Sequence, residues 1–502
     1  MLIKTQSQSL TEQLADLFAQ RIRTRLLAQG ARLPSVRQCA QLHGVNPSTV
    51  VAAYDRLVGL GLVEARRNRG FFVREDAAVR TSAAQAQAML GAGKADGASK
   101  SSASRGSPQF DPDNGNGVGK VEGESRLLPI NATALIRAMF QNVSDKPQPG
   151  MGALPAQWLE TSFLNTAVRK VSSASALHAH SLQYGDPLGD AMLRDALAKR
   201  LGSLGVPAEP DQIITTVGAT HALDVVSRTL LRAGDWVMVE EPGWAVEFAR
   251  LQALGMRILP VPRGPDGPDL AVMARYCEMH SPKLYVSVSV LHNPTGYCLS
   301  SASAHRVLQL ANAHQFHIVE DDTYSHIADE HATRLCAMDG LQRTIYVSGF
   351  AKILAPNWRV GYLAAPPSLV SALLDTKLLT TLTTPSLLER ALAHCMVQGQ
   401  LRRHSLRVRA LLDAARTRSV KLATQAGCVF AAEPAGLFGW VDTGVDTDAL
   451  SQRMLDHGYL LAPGALFHAQ RKPSTLMRIN FGTTQDAAFW RVFTRLLGGK
   501  GR

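Results

Sequence analysis

Between residues 76 and 126 the chain turns to Ala, Gly, Ser, Asp, Asn and Lys and carries few large apolar side chains. Such a stretch cannot bury enough surface to offset the entropy of ordering it, so it reads as a flexible tether. It divides the 502 residues into a short head, 1–75, and a long body, 127–502, each folding around its own core.

The division is electrostatic as well. Of a net charge of +12, residues 1–74 account for more than half, with eleven Lys/Arg against four Asp/Glu. A basic bias of that kind suits phosphate partners once a nucleic-acid motif lies within it. The rest of the composition, 46% hydrophobic and 19% charged, is that of a globular protein. No run of about eighteen apolar residues predicts a membrane span. The start, Met1-Leu2-Ile3-Lys4-Thr5-Gln6, lacks the apolar core of a signal peptide. Six cysteines scattered without metal-ligand spacing predict reduced thiols, no metal centre and a cytoplasmic location.

In the head, Leu10, Leu14, Leu17, Phe18, Ile22, Leu26 and Leu27 recur at helical spacing and predict a helix over 10–29, capped by Ser9 or Thr11. Ser35 caps a second helix that ends near His43-Gly44, and Pro47 fits the first turn of a third. Gly44 supplies the tight turn, and Val45 and Val50 face inward. Asn46, Ser48 and Thr49 are then left at the exposed start of the third helix, where short polar groups can reach bases or phosphates. Arg66-Arg67-Asn68-Arg69-Gly70 forms a basic hairpin between β-prone segments, with Gly70 permitting close approach to a sugar-phosphate backbone. The run from Leu33-Pro34-Ser35-Val36-Arg37 through Gly44-Val45-Asn46-Pro47-Ser48-Thr49-Val50 resembles the winged helix-turn-helix of GntR-type regulators. That resemblance implies operator DNA, double-stranded, as a partner. It adds Arg37 to the contact set of Asn46, Ser48, Thr49, Arg67, Arg69 and Gly70.

The body alternates apolar runs such as Ile213-Ile214-Thr215, Trp236-Val237-Met238-Val239 and Leu284-Tyr285-Val286-Ser287-Val288 with helical stretches, the pattern of buried, mostly parallel strands. Val217-Gly218-Ala219-Thr220 follows a strand and opens a helix, whose free N–H groups can hold a phosphate. Further on come Glu241-Pro242-Gly243-Trp244, His292-Asn293-Pro294-Thr295-Gly296, Glu320-Asp321-Asp322-Thr323-Tyr324, Ser348-Gly349-Phe350-Ala351-Lys352, then Arg359 and Gly361. Singly each is weak. In this order they resemble fold-type I aminotransferases dependent on pyridoxal 5'-phosphate.

The resemblance implies a mostly parallel central sheet with a smaller C-terminal lobe. Lys352 becomes the Schiff-base lysine and Asp321 the partner of the pyridine nitrogen, a buried carboxylate against a cation. Asn293 and Tyr324 become donors to the phenolate oxygen, and Trp244 the cover of the ring. Ala219, Thr220, Ser348 and Arg359 become the phosphate site. Ser348 stands one place before the position where the family carries its hydroxyl, which Gly349 occupies here. Tyr184, in Tyr184-Gly185-Asp186-Pro187-Leu188-Gly189, matches the tyrosine that reaches the partner subunit's phosphate, which implies a homodimer. Arg478 in Leu476-Met477-Arg478-Ile479-Asn480-Phe481 matches the arginine that grips a substrate carboxylate.

Head and body together resemble the MocR subgroup of GntR-type regulators. The implied function is a transcriptional regulator that senses an amine or amino acid, or pyridoxal phosphate itself, through its aminotransferase-like domain. The alternative is a working aminotransferase that carries a DNA-binding domain.

Overall fold

The computed structural model describes residues 9–23, 27, 30–66, 69–74, 145–173 and 182–498. The expected tether, 76–126, and Arg67 lie outside them. The chain divides into two compact units, 1–138 and 139–502.

The first unit has three helices, α1 (Leu10–Arg23), α2 (Val36–His43) and α3 (Pro47–Gly59), followed by the hairpin β1 (Val63–Arg66) and β2 (Gly70–Val73). The amphipathic spacing read from α1 is real: Leu14, Phe18 and Ile22 are buried, with Val50, Tyr54 and Leu57 of α3 in the same cluster. The helix ends at Arg23, six residues short of the predicted limit. Leu27 is buried, and its N–H donates to the Arg21 carbonyl at 3.0 Å. Residues 24–26, 28 and 29 of the expected helix, Leu26 among them, lie outside the described residues.

Ser35 caps α2 in a reciprocal capping box with Gln38, and Gly44 closes it at φ 64°. Pro47 opens α3, where its missing N–H costs nothing. At the hairpin end Gly70 sits at φ 100°, a conformation that disfavours a side chain.

The second unit is built on a seven-stranded sheet in the order β3-β9-β8-β7-β6-β4-β5. Its strands are β3 (Ile213–Val217), β4 (Trp236–Glu241), β5 (Arg257–Pro262), β6 (Leu284–Ser287), β7 (His317–Asp321), β8 (Thr344–Gly349) and β9 (Val360–Ala364). All run parallel except β9, which is antiparallel to both of its neighbours. Both faces are covered, as a parallel sheet requires, by apolar clusters centred on Val226, Val286 and Val347 and on Tyr285, Ile318 and Phe316. A smaller antiparallel sheet follows, β10 (Val429–Phe430), β11 (Phe438–Asp442), β13 (Leu476–Asn480) and β12 (Ala462–Pro463) in spatial order. Among the described residues no helix is long and apolar enough to cross a membrane.

This topology fixes where chemistry can happen. In an open parallel sheet the carboxyl ends of the strands leave a crevice. Here Val217, Glu241, Asp321 and Gly349 are those ends, each the final residue of its strand.

Candidate functional site

In the first unit the described residues expected to contact DNA fall on α2, on α3 with its N-cap, and at the β1–β2 hairpin. Arg37 is the second residue of α2, Asn46 the N-cap of α3, and Ser48 and Thr49 its first turn. Arg37, Asn46, Ser48 and Arg69 are exposed and Thr49 half-buried, while Val50 is fully buried and Val45 packs on the core. The apolar residues anchor the turn, so the polar ones face solvent.

In the second unit, the helix α5 (Ala219–Leu230) follows β3 with Gly218 as its N-cap at φ 77° and no side chain capping its first N–H groups. Those free donors make a ready anion seat. Three glycines let backbone close in around it. A Cβ on Gly361 would lie 2.6 Å from the Ala219 nitrogen, one on Gly349 would lie 3.4 Å from it, and one on Gly218 would meet Arg359 Nη2 at 2.3 Å. Arg359 therefore lies against the seat, where Nη2 also donates to the Val217 carbonyl at 3.3 Å. Ser348 does not join it: its hydroxyl is fully buried and donates to the Asp322 carbonyl at 2.8 Å. The hydroxyl lies one place off the family position and so belongs to the sheet interior.

Asp321, at the end of β7, accepts from the Thr323 N–H at 3.0 Å and from the Thr323 hydroxyl. Burial raises its pKa to about 6 against those bonds, helped by the charges of Glu247 and Asp322. Trp244 and Asp321 line one small cleft, together with Glu247 and His292. A half-buried carboxyl pushed toward neutrality is suited to a cationic ring nitrogen, which would return it to its charged form.

Lys352 follows β8 and is half-buried, its Nζ donating to the Gly152 carbonyl at 2.7 Å. Burial, with the positive charges of Arg478 and Arg359 outweighing Asp321, pulls it down to about 8. A lysine so depressed offers a neutral amine near physiological pH. The rate at which apo-protein takes up pyridoxal phosphate covalently should accordingly rise as pH increases through about 8. Stopped-flow absorbance from about pH 6 to 11.5 checks this, and a midpoint at the free-lysine value near 10.4 would contradict it.

Asn293 and Tyr324, the two expected phenolate donors, are brought together: burial raises the Tyr324 hydroxyl's pKa, and the Asn293 side chain opposes that rise. The Asn293 carbonyl oxygen is taken by Arg478 Nη1 at 2.9 Å, which fixes the amide's orientation and leaves its N–H groups toward other partners. Arg478 lies on β13, 5% exposed, with Nη2 donating to the Gly150 carbonyl at 2.6 Å. Its guanidinium stacks between Phe438 and Phe467, 4.3 Å and 5.1 Å from their ring centres. Tyr184 stands 85% exposed on its loop.

Several contributors escaped sequence reasoning. The strap Gly150–Ala153 offers its carbonyls to Lys352, Arg478 and Asn480, the last at 2.8 Å from Met151 and 2.6 Å from Ala153. Phe438 and Phe467 were unmarked because the residues that converge on Arg478 lie far apart in sequence. Glu247 is different: three residues after Trp244 on one helix, it was open to detection by helical spacing.

Residues 160–489 match the family model described as aminotransferase class I and II, and residues 10–73 match bacterial regulatory proteins, gntR family. A relative named "Uncharacterized HTH-type transcriptional regulator YisV", from Bacillus subtilis, is 25% identical over 91% of this chain and 90% of its own. "Probable rhizopine catabolism regulatory protein MocR" from Rhizobium meliloti is 29% identical over 77% of this chain and 71% of its own. Among solved structures, the alpha-aminoadipate aminotransferase LysN of Thermus thermophilus, complexed with N-(5'-phosphopyridoxyl)-L-leucine, superposes with a TM-score of 0.66. It is 23% identical, covering 73% of this chain and 94% of that one.

Proposed function

The chain belongs to the aminotransferase class I and II family and, with its gntR-family head, to the MocR subgroup of transcriptional regulators, and from that premise we propose that it senses an amine or amino acid at Lys352. The family's cofactor is pyridoxal 5'-phosphate, and the residues present fit it: a glycine-lined anion seat beside Arg359, a half-buried carboxyl at Asp321 and a depressed lysine. When bound, it supplies an aldehyde carbon that condenses with primary amines and a ring that draws electrons from them.

Each side chain then has one task. Ala219, Thr220 and Arg359 hold the phosphate, Trp244 covers the ring and Asp321 keeps its nitrogen charged. Asn293 and Tyr324 donate to the ring oxygen. Lys352 is the resident amine with which an effector amine competes, and Arg478 receives the effector's carboxylate. The observation that carries this reading is Arg478 itself, a buried guanidinium whose Nε has no partner. Ligand sensing on one chain with a DNA reader gives a route from metabolite to promoter.

A homodimer completes the site, with Tyr184 reaching the partner subunit's phosphate seat. In support, Leu182 is 70%, Leu379 90% and Leu382 54% exposed beside the Tyr184 loop, more apolar surface than water favours. The protein acts in the cytoplasm on operator DNA.

The test is an absorbance titration of the cofactor-loaded protein with a panel of amines and amino acids, repeated with operator DNA. An effector that shifts the spectrum must also shift DNA affinity, and operator DNA must shift the effector's affinity by the same factor. If no amine does both, sensing fails. Turnover is a second reading, favoured by the survival of Lys352, Asp321 and Arg478 together. Repeated cycles of keto-acid formation without DNA would establish it.

DNA affinity should reside in residues 1–74 and fall steeply with salt through released counterions. Substituting Arg37 or Thr49 with alanine should cost about 1–3 kcal/mol of operator affinity, leaving cofactor absorbance unchanged. Gel-shift titration reads this, and wild-type affinity in both variants would refute the assignment.

A further inference from the structure

The second unit holds another cavity, of about 640 Å³, that shares no lining residue with the cofactor pocket. It opens between the helices α4 (Ala191–Ser203), α6 (Ser386–Val397) and α7 (Gln400–Gln425) and the loop that follows Tyr324.

Two of its lining side chains carry polar atoms buried without a hydrogen-bond partner, His326 Nε2 and Ser405 Oγ, in residues each 8% exposed. Buried polar groups are nearly always paired, so these two atoms are available to a molecule that enters the cavity. Burial, with Arg200 and His404 close by, drives His326 down to about 3, so its ring is neutral and can donate a hydrogen bond without carrying charge.

The charge of the walls selects the ligand's sign. Lys199, Arg200, Arg402 and Arg409 line the cavity against two carboxylates. Glu330 is engaged by Arg200 at 2.7 Å, and Asp329 accepts from the His331 N–H at 2.9 Å. The N-terminus of α7 adds to this surplus. Its cap is Gly399, which has no side chain to satisfy the first N–H groups of a 26-residue helix. Ala196, Met396 and Leu401 supply apolar wall beside these groups.

We propose that this cavity is a second small-molecule site, taking an organic anion: a carboxylate or phosphate monoester on a compact apolar body. Its volume lies within the range of ligand pockets. It also adjoins the loop that carries Lys352. The His326 ring lies 5.2 Å from that of Phe350, and His404, next to Ser405, contacts the Ile353 carbonyl at 2.7 Å. Those contacts flank Lys352 on either side, so an occupant braces or shifts the lysine loop from behind.

The experiment is isothermal titration of the full-length, cofactor-loaded protein with benzoate and, separately, with phenyl phosphate. At least one should bind saturably, and the one that binds identifies the anionic group. Arg402→Ala/Arg409→Ala should weaken that binding about tenfold or more. Leu406→Trp, at a half-exposed lining position, should plug the cavity to the same effect while leaving the charges in place. Arg478→Ala should leave it unchanged. Absence of saturable binding by either probe, wild-type affinity in both cavity variants, or loss of binding in Arg478→Ala would overturn the proposal. Amine titrations of the same samples report separately on sensing at Lys352, so failure of one reading is not failure of the other.

Discussion

Replacing Lys352 with alanine is expected to abolish both the visible absorbance of the cofactor-loaded protein and the covalent adduct trapped by borohydride. The effect should be complete, because among the described residues Lys352 is the lysine that feels Asp321, Arg359 and Arg478 at the carboxyl ends of the strands. The fold should survive. What the substitution leaves behind is the Gly152 carbonyl without its donor, a loss on the order of 1 kcal/mol. Intact-mass measurement after reduction gives the decisive reading: a variant that still carries the cofactor's mass would mean that another amine holds it. Thermal melting in parallel separates loss of chemistry from loss of structure.

The second large effect is expected at Arg478. Charge-assisted pairing of a guanidinium with a carboxylate typically contributes a few kcal/mol when desolvated, so Arg478→Ala should raise the effector concentration needed for response by about 100-fold or more. Cofactor loading should persist, since the phosphate seat is built by α5 and Arg359. The structure adds a refinement that sequence could not supply. Arg478 also holds the Asn293 carbonyl, so alanine frees that amide to rotate and should shift the absorbance maximum even without effector. Arg478→Lys should rescue poorly. An ammonium cannot bond Asn293 and Gly150 through one planar fork, nor stack as well between Phe438 and Phe467. Effector-dependent transcription measured beside absorbance tests both claims, and a wild-type response curve would remove the carboxylate from the recognised ligand.

Much of this architecture was legible because its signals are local. A strand ending in Asp321, a cap at Gly218 and a lysine after an apolar run are each set by residues close in sequence, and the order of the motifs did the rest. The capping box at Ser35 and the turn at Gly44 were readable for the same reason. What stayed hidden depends on distant segments. Nothing near Phe438, Phe467 or Gly150 announces that they enclose a guanidinium on β13, because only the folded sheet brings them there. Ser348 is a different case. It lies one residue off the family position on its strand, and its buried hydroxyl donates to the Asp322 carbonyl.

The strap at Gly150–Ala153 bears on where this protein can be cut. The family match begins at residue 160, which invites a truncated effector domain starting there. Such a fragment would discard the carbonyl acceptors of Lys352, Arg478 and Asn480 in one stroke. It would also lose the Gln148 side chain that bonds the backbone at Gly458 and Leu460. Three buried or half-buried donors would then face solvent. A fragment meant to report the chemistry of the intact regulator has to begin upstream of Lys146, which among the described residues is the earliest of this unit to bond it, through the His457 carbonyl at 2.8 Å.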